Sequence, residues 1–282
     1  MSPLAQLTGV TKKFGEFTAV RDVDLMVEPG EIVGLLGANG AGKTTVIKML
    51  LGLIGTTAGT VELFGQRPSR QTRRRLGYVP QSLGLYDDLT TMENLEFSAA
   101  AFGRKAVLPD QIKPYGKDLI GALPLGVQRR VAFAQALEHE PDLLILDEPT
   151  SGVDPLGRAR GWETIAGAAQ AGAGVLVTTH YMEEASECSR LVIMAGGAVV
   201  AAGTAQEIIG ASQAVVVLAQ SWADAFGRLE RAGLQVALAG RGVRVPGALP
   251  QDVKRALGDL PAVVTGVPAT LEERFFELVQ GS

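Results

Sequence analysis

The stretch EIVGLLGANGAGKTTVIKMLLGLI, residues 31–54, decides the reading of the chain. EIVGLLG is a short continuous apolar run that ends in glycine, the pattern of a buried strand. TTVIKMLLGLI carries apolar residues at helical spacing. Between them, Gly37 to Thr45 fits the phosphate-loop pattern G-x-x-x-x-G-K-[ST]. Gly37, Gly40 and Gly42 let the backbone wrap closely and aim N–H groups at phosphate oxygens, and Asn39, Ala41 and Thr45 complete the nucleotide-binding loop. The helix adds its positive N-terminal end. Lys43 is placed to reach terminal phosphates, and Thr44 to offer a hydroxyl to Mg²⁺. This much indicates a nucleotide, with no reaction yet specified.

LLILDEPT, Leu143 to Thr150, supplies a second half. A buried strand ends in two adjacent carboxylates. Asp147 suits a metal ion reached through water. Glu148 suits the general base that polarises an attacking water, a role worth about 10² to 10⁴ in rate. His180 follows the strand GVLVTT, and His139 is expected on the surface.

These residues stand in an order that resembles the ATP-binding-cassette (ABC) ATPases over residues 1–209. Within that resemblance Gln81, in YVPQ, matches the glutamine loop that senses Mg²⁺ and touches a membrane partner. SGVD, Ser151 to Asp154, matches the loop that crosses between subunits. His180 matches the switch histidine that contacts the γ-phosphate. Phe14 sits where the family places an aromatic ring under adenine, and would serve equally as a core residue. The resemblance implies an α/β phosphate-loop cassette with a RecA-like core, an antiparallel β subdomain and a short helical subdomain.

Two features depart from the family pattern. The signature Leu-Ser-Gly-Gly-Gln is replaced by LPLGV, Leu123 to Val127. Pro124 removes both a hydroxyl and a backbone N–H. The N–H groups of Leu125 and Gly126 and the helix terminus behind them still offer attraction to a phosphate. A lost hydrogen bond to a charged group costs about 1.5–3 kcal/mol, so the change weakens this contact without abolishing it. A Leu-Pro-Leu-Gly form also resembles a variant of the drug- or polyketide-export branch. The second departure is length: between Gln81 and Leu123 the chain is short by about one helix against the family.

The rest of the chain narrows the function class. The net charge of −4 gives no basic field for nucleic acid. Cys188 is the only cysteine, which fits a reducing compartment. The longest uncharged apolar run, residues 191–203, is too short for the roughly 20 residues of a membrane span. Gly196-Gly197 makes it a hairpin instead. The N-terminus lacks the charged head and apolar core of a signal peptide. A soluble protein is expected, meeting a membrane only through a partner. Arg73–Arg75 reads as a solvated helix face.

After Ile209 the order strand, helix, strand, strand, helix, strand, helix suits a small α+β domain over residues 210–282. Thr270 and Glu273 form a capping box for the last helix. The leading expectation is an ATP-hydrolysing subunit of an exporter. It would dimerise around two ATP molecules, as a homodimer or with another cassette, and drive a separate polytopic permease from the cytoplasmic face. A soluble regulatory or assembly ATPase, and a weakly catalytic half of a heterodimer, are the alternatives.

Overall fold

The computed structural model describes residues 2–240 and 242–280. By contacts the chain divides into two units, Met1–Ala202 and Gly203–Ser282. The division falls ahead of the boundary after Ile209 expected from composition.

The first unit opens with β1 (Ala5–Phe14) and β2 (Phe17–Val27), antiparallel partners joined at Gly15 and Glu16. Their inward residues Ala5, Leu7, Val10, Val23, Leu25 and Val27 are buried. β3 (Ile32–Leu36) is buried at every position and leads through the glycine loop into α1 (Lys43–Leu50). β4 (Ala58–Leu63) returns to pair with β1, giving a three-stranded antiparallel sheet of order β2-β1-β4. Val46, Ile47 and Leu50 of α1 pack into the same core as this sheet.

The short helix α2 (Arg70–Arg73) and β5 (Leu76–Val79) follow. The arginine run here is exposed but not merely solvated. Arg73 donates to the Leu51 carbonyl at 3.3 Å, and Arg75 pairs with Asp142 at 2.7 Å while stacking on Phe64. Next come α3 (Thr91–Phe102) and α4 (Leu125–Leu137), separated only by two single-turn 3₁₀ segments, Lys113–Tyr115 and Ile120–Ala122. α3 starts at a reciprocal Thr90–Glu93 capping box and ends at Gly103. Leu95, Ile112, Ile120, Leu123, Val127 and Val131 form the core of this short helical part.

The main sheet is completed by β6 (Leu143–Asp147), α5 (Pro155–Gln170), β7 (Gly174–Thr179), α6 (Met182–Ala185), β8 (Arg190–Ala195) and β9 (Ala198–Gly203). Its order is β5-β6-β7-β3-β8-β9. The pairs from β5 to β8 are parallel. Their near-continuous burial follows from helices covering such a sheet. Gly196 and Gly197, at φ 53° and 83°, make the tight turn into β9. The carboxyl ends of β3, β6 and β7 therefore share one edge, where open α/β sheets place their ligands.

The second unit contains α7 (Ala205–Ile209), β10 (Gln213–Ala219), α8 (Trp222–Arg231), β11 (Ala237–Ala239), β12 (Gly242–Pro246), α9 (Pro250–Leu257), β13 (Ala262–Pro268) and α10 (Leu271–Gln280). Its sheet is antiparallel with order β11-β12-β10-β13, so the two βαβ halves are interleaved. Val215, Val217, Val243 and Val245 pack under Ala225, Leu229, Val253 and Leu257 of α8 and α9. Thr270 and Glu273 exchange both capping bonds, at 2.7 and 3.2 Å. Arg244 closes a fork on the same Glu273 at 2.6 and 3.0 Å. No helix among the described residues is long and apolar enough to cross a membrane.

Candidate functional site

The site begins with the loop between β3 and α1. A Cβ on Gly37 would lie 2.5 Å from the Met194 carbonyl, and one on Gly42 2.7 Å from the Ala19 carbonyl. Gly42 also sits at φ 102°, a conformation that disfavours any side chain. Those two positions fix the loop's wrap. Lys43 folds back beneath it, its ammonium donating to Gly37 at 2.7 Å and Ala38 at 3.2 Å. Burial pulls the Lys43 pKa down, while Glu148 and Asp147 oppose that shift.

The end of β6 brings the two acids to this loop. Thr44 donates to Asp147 at 3.1 Å, and Thr178 from β7 donates to its other oxygen at 2.7 Å. The Thr178 oxygen also accepts the Glu148 N–H at 2.9 Å. Glu148 sits at φ 51°, an uncommon conformation for a residue with a side chain. The turn sets its carboxylate off the strand axis. There Gln81 donates to it at 3.2 Å, and His180 Nδ1 lies 3.6 Å away. The structure thus gathers Lys43, Thr44, Gln81, Asp147, Glu148 and His180 from four separate segments.

A cavity of about 500 Å³ is lined by Asn39, Gly40, Ala41, Gly42, Lys43, Thr44 and Thr45, with Gln81 and Glu148 opposite. Its volume is in the range of ordinary small-molecule sites. Phe17 and Ala19 complete the lining. Phe14 is not part of it: the ring is half exposed, with the Lys12 ammonium 5.0 Å from its centroid. The two rings are cross-strand partners at the hairpin end, so a shift of three residues decides which one faces the cavity.

Leu125 and Gly126 are not in this cavity. They form the first turn of α4, with Pro124 as its N-cap. Val127 and Gln128 donate to the Pro124 carbonyl at 2.8 and 3.1 Å. The N–H groups of Leu125 and Gly126, ahead of the first helical bonds, stay available to a ligand or a second molecule.

Two supporting residues escaped the sequence reading. Arg129 of α4 is buried and donates to the backbone carbonyls of Glu148, Pro149 and Ser151. Glu184 of α6 is buried and accepts Thr150 and Thr179 hydroxyls at 2.5 Å each. Together they fix the loop after Glu148 and the strand end before His180. One expectation is corrected. His139 is buried, not on the surface: it bonds the Leu76 carbonyl at 2.8 Å and stacks on Phe102 at 3.8 Å.

Comparison with known proteins identifies the family and the fold. Residues 20–151 match the family model described as ABC transporter. A probable multidrug ABC transporter ATP-binding protein of Escherichia coli (strain K12) is 41% identical over 212 residues, which is 71% of this chain and 37% of that protein. The chain thus matches well under half the length of that relative. A Nod factor export ATP-binding protein I of Cupriavidus metallidurans is 39% identical over 227 residues, 74% of each chain. Among solved structures, an ATP-binding subunit of an ABC transporter superposes with TM-score 0.66 at 30% identity, covering 73% of this chain and 91% of that one. A dimeric ATP-binding cassette bound to ADP and Pi superposes with TM-score 0.64 at 25% identity, covering 71% and 98%.

Proposed function

The chain belongs to the ABC transporter ATP-binding proteins, and from that premise we propose that it hydrolyses ATP between two cassettes and drives a separate membrane permease of an exporter. The observation that carries this reading is the position of Glu148. Its carboxylate faces the phosphate-loop cavity with Gln81 on one side and His180 on the other. A carboxylate so placed accepts the proton of a water attacking the γ-phosphate, and His180 orients that water or the phosphate. Lys43 and the loop N–H groups take the phosphate charge. Leu125 and Gly126 of a second cassette would offer their free N–H groups from the opposite side.

The donor set fits Mg²⁺. No cluster of three or more His, Cys, Asp or Glu that could hold a metal occurs among the described residues, so a metal here depends on substrate oxygens. Hard oxygen donors, a hydroxyl beside a carboxylate at 3.1 Å, suit a cation that keeps several waters. Thr44, Asp147 and Gln81 are the residues that would hold it. When bound, Mg²⁺ would neutralise phosphate charge.

The names of the relatives support export as the direction, since they are multidrug and Nod factor export proteins. A location at the cytoplasmic face of a membrane follows from that reading. The test is ATP turnover of the purified chain against its own concentration, with Glu148→Gln as control. Turnover per chain should rise with concentration and vanish in the variant, while ATP binding stays. Binding with no Glu148-dependent turnover at any concentration would instead mean that the chain needs its membrane partner or a second cassette with an intact signature. Co-purification with a polytopic membrane protein tests the permease.

A further inference from the structure

A second cavity, of about 480 Å³, lies within the first unit away from the phosphate loop. One wall is α4, through Gly126, Arg130, Phe133, Ala134 and Leu137. The second is the non-helical segment from Arg104 to Ile112. The third is the start of α5, with Pro149, Thr150 and Val153 of the loop after Glu148.

The lining is apolar at Phe133, Leu137, Val107, Pro109, Ile112 and Val153. Around it stand five cations, Arg104, Lys105, Arg129, Arg130 and Arg160, against Glu138 and Glu140. Both acids are already engaged: Glu140 pairs with Arg104 at 3.3 Å, and Glu138 accepts the Val107 N–H at 3.2 Å. Burial also raises the Glu138 pKa toward its neutral form. Lys105 and Arg160 are exposed and make no side-chain hydrogen bond or salt bridge among the described residues, although Arg160 lies near enough to Asp154 to help lower its carboxyl pKa. Arg129 is only 7% exposed, yet its Nε has no partner. A buried N–H without a partner is unusual and costly.

We propose that this cavity binds an amphipathic organic anion, a carboxylate or sulfonate on an apolar body, and that its occupancy alters ATP turnover. The apolar floor takes the body, and the surplus arginines and lysine take the head. The volume suits a drug-sized molecule. The coupling is structural. The walls include the first turn of α4, whose N–H groups face a second cassette in the reading above. They also include the loop that Arg129 ties to Glu148. A molecule seated here fixes the spacing of those two elements.

The test uses the full chain without ATP and the fluorescent probe anilinonaphthalene sulfonate. One saturable site is expected, from which dodecanoate displaces the probe and dodecylamine does not. Ala134→Trp fills the cavity, and Arg160→Glu reverses an exposed charge on its wall. Each should weaken the probe by about tenfold or more, a difference of about 1.4 kcal/mol, while ATP binding and melting temperature stay as in the parent. Dodecanoate should change ATP turnover of the parent and not of Ala134→Trp. No saturable site, equal displacement by dodecylamine, displacement by ATP, or parent-like binding in both variants would overturn the site. Unchanged turnover at saturating dodecanoate would overturn the coupling. Probe binding is read without hydrolysis, so its failure is separable from that of the ATPase reading.

Discussion

The Thr178 hydroxyl donates to the Asp147 carboxylate at 2.7 Å while its oxygen accepts the Glu148 N–H at 2.9 Å. One buried side chain on β7 therefore sets the direction of both acids at the end of β6. Thr178→Val keeps the shape and removes both bonds. It leaves the Glu148 N–H unpaired, at a cost of about 1–3 kcal/mol. Turnover should fall at least tenfold with ATP affinity little changed, and Thr178→Ser should restore most of it. Steady-state kinetics beside a melting curve would check this.

Arg129 gives a second prediction. Its guanidinium serves three carbonyls of the loop that carries Glu148. Burial lowers its pKa, opposed by Glu148 and Glu184. Arg129→Lys keeps the charge and loses the planar fork, so the swap is not conservative. With about 1.5–3 kcal/mol for each charged hydrogen bond, the variant should lose about 2 kcal/mol or more of stability in urea unfolding. Its kcat should fall more than its ATP affinity.

How much of this was legible in the sequence depends on whether a role is local or tertiary. The phosphate loop, Asp147, Glu148, the Gly196-Gly197 turn and the Thr270–Glu273 capping box are set by neighbours a few residues apart, and spacing alone exposes them. Arg129 and Glu184 act on segments about 20 and 34 residues away, on helices whose patterns look ordinary. No local spacing marks such residues. His139 was misplaced for the same reason, since its partners Leu76 and Phe102 come from elsewhere in the chain. Phe14 and Phe17 flank one turn, and which of them lines the cavity is a matter of hairpin geometry.

His139 makes stability depend on pH. Burial lowers its pKa, with the Leu76 hydrogen bond opposing that shift. Its Nε2–H serves the Leu76 carbonyl, and Nδ1 is buried without a partner. The unfolded chain binds a proton more readily than the folded one. The contribution is therefore complete above the unfolded value of about 6.5 and is lost as pH falls below it. His139→Phe should keep the stack on Phe102 and flatten the fall in melting temperature between about pH 7 and 5. Melting curves across that range, parent against variant, measure it.

The last prediction concerns Pro124, the N-cap of α4. Proline at this position has neither hydroxyl nor N–H to offer, although its φ of −58° and ψ of 145° suit a cap. Serine adopts the same conformation and caps better, by about 1 kcal/mol against a residue with no capping side chain. Pro124→Ser should raise the melting temperature slightly. In the proposed two-cassette arrangement it should also supply a further hydrogen bond to the phosphate held by the opposite cassette, worth about 1.5–3 kcal/mol. Turnover should rise about tenfold at chain concentrations where dimers form and stay unchanged at high dilution. A rise that ignores concentration would place the effect within a single chain. No rise at all would mean that the N–H groups of Leu125 and Gly126 already serve the phosphate fully without a serine.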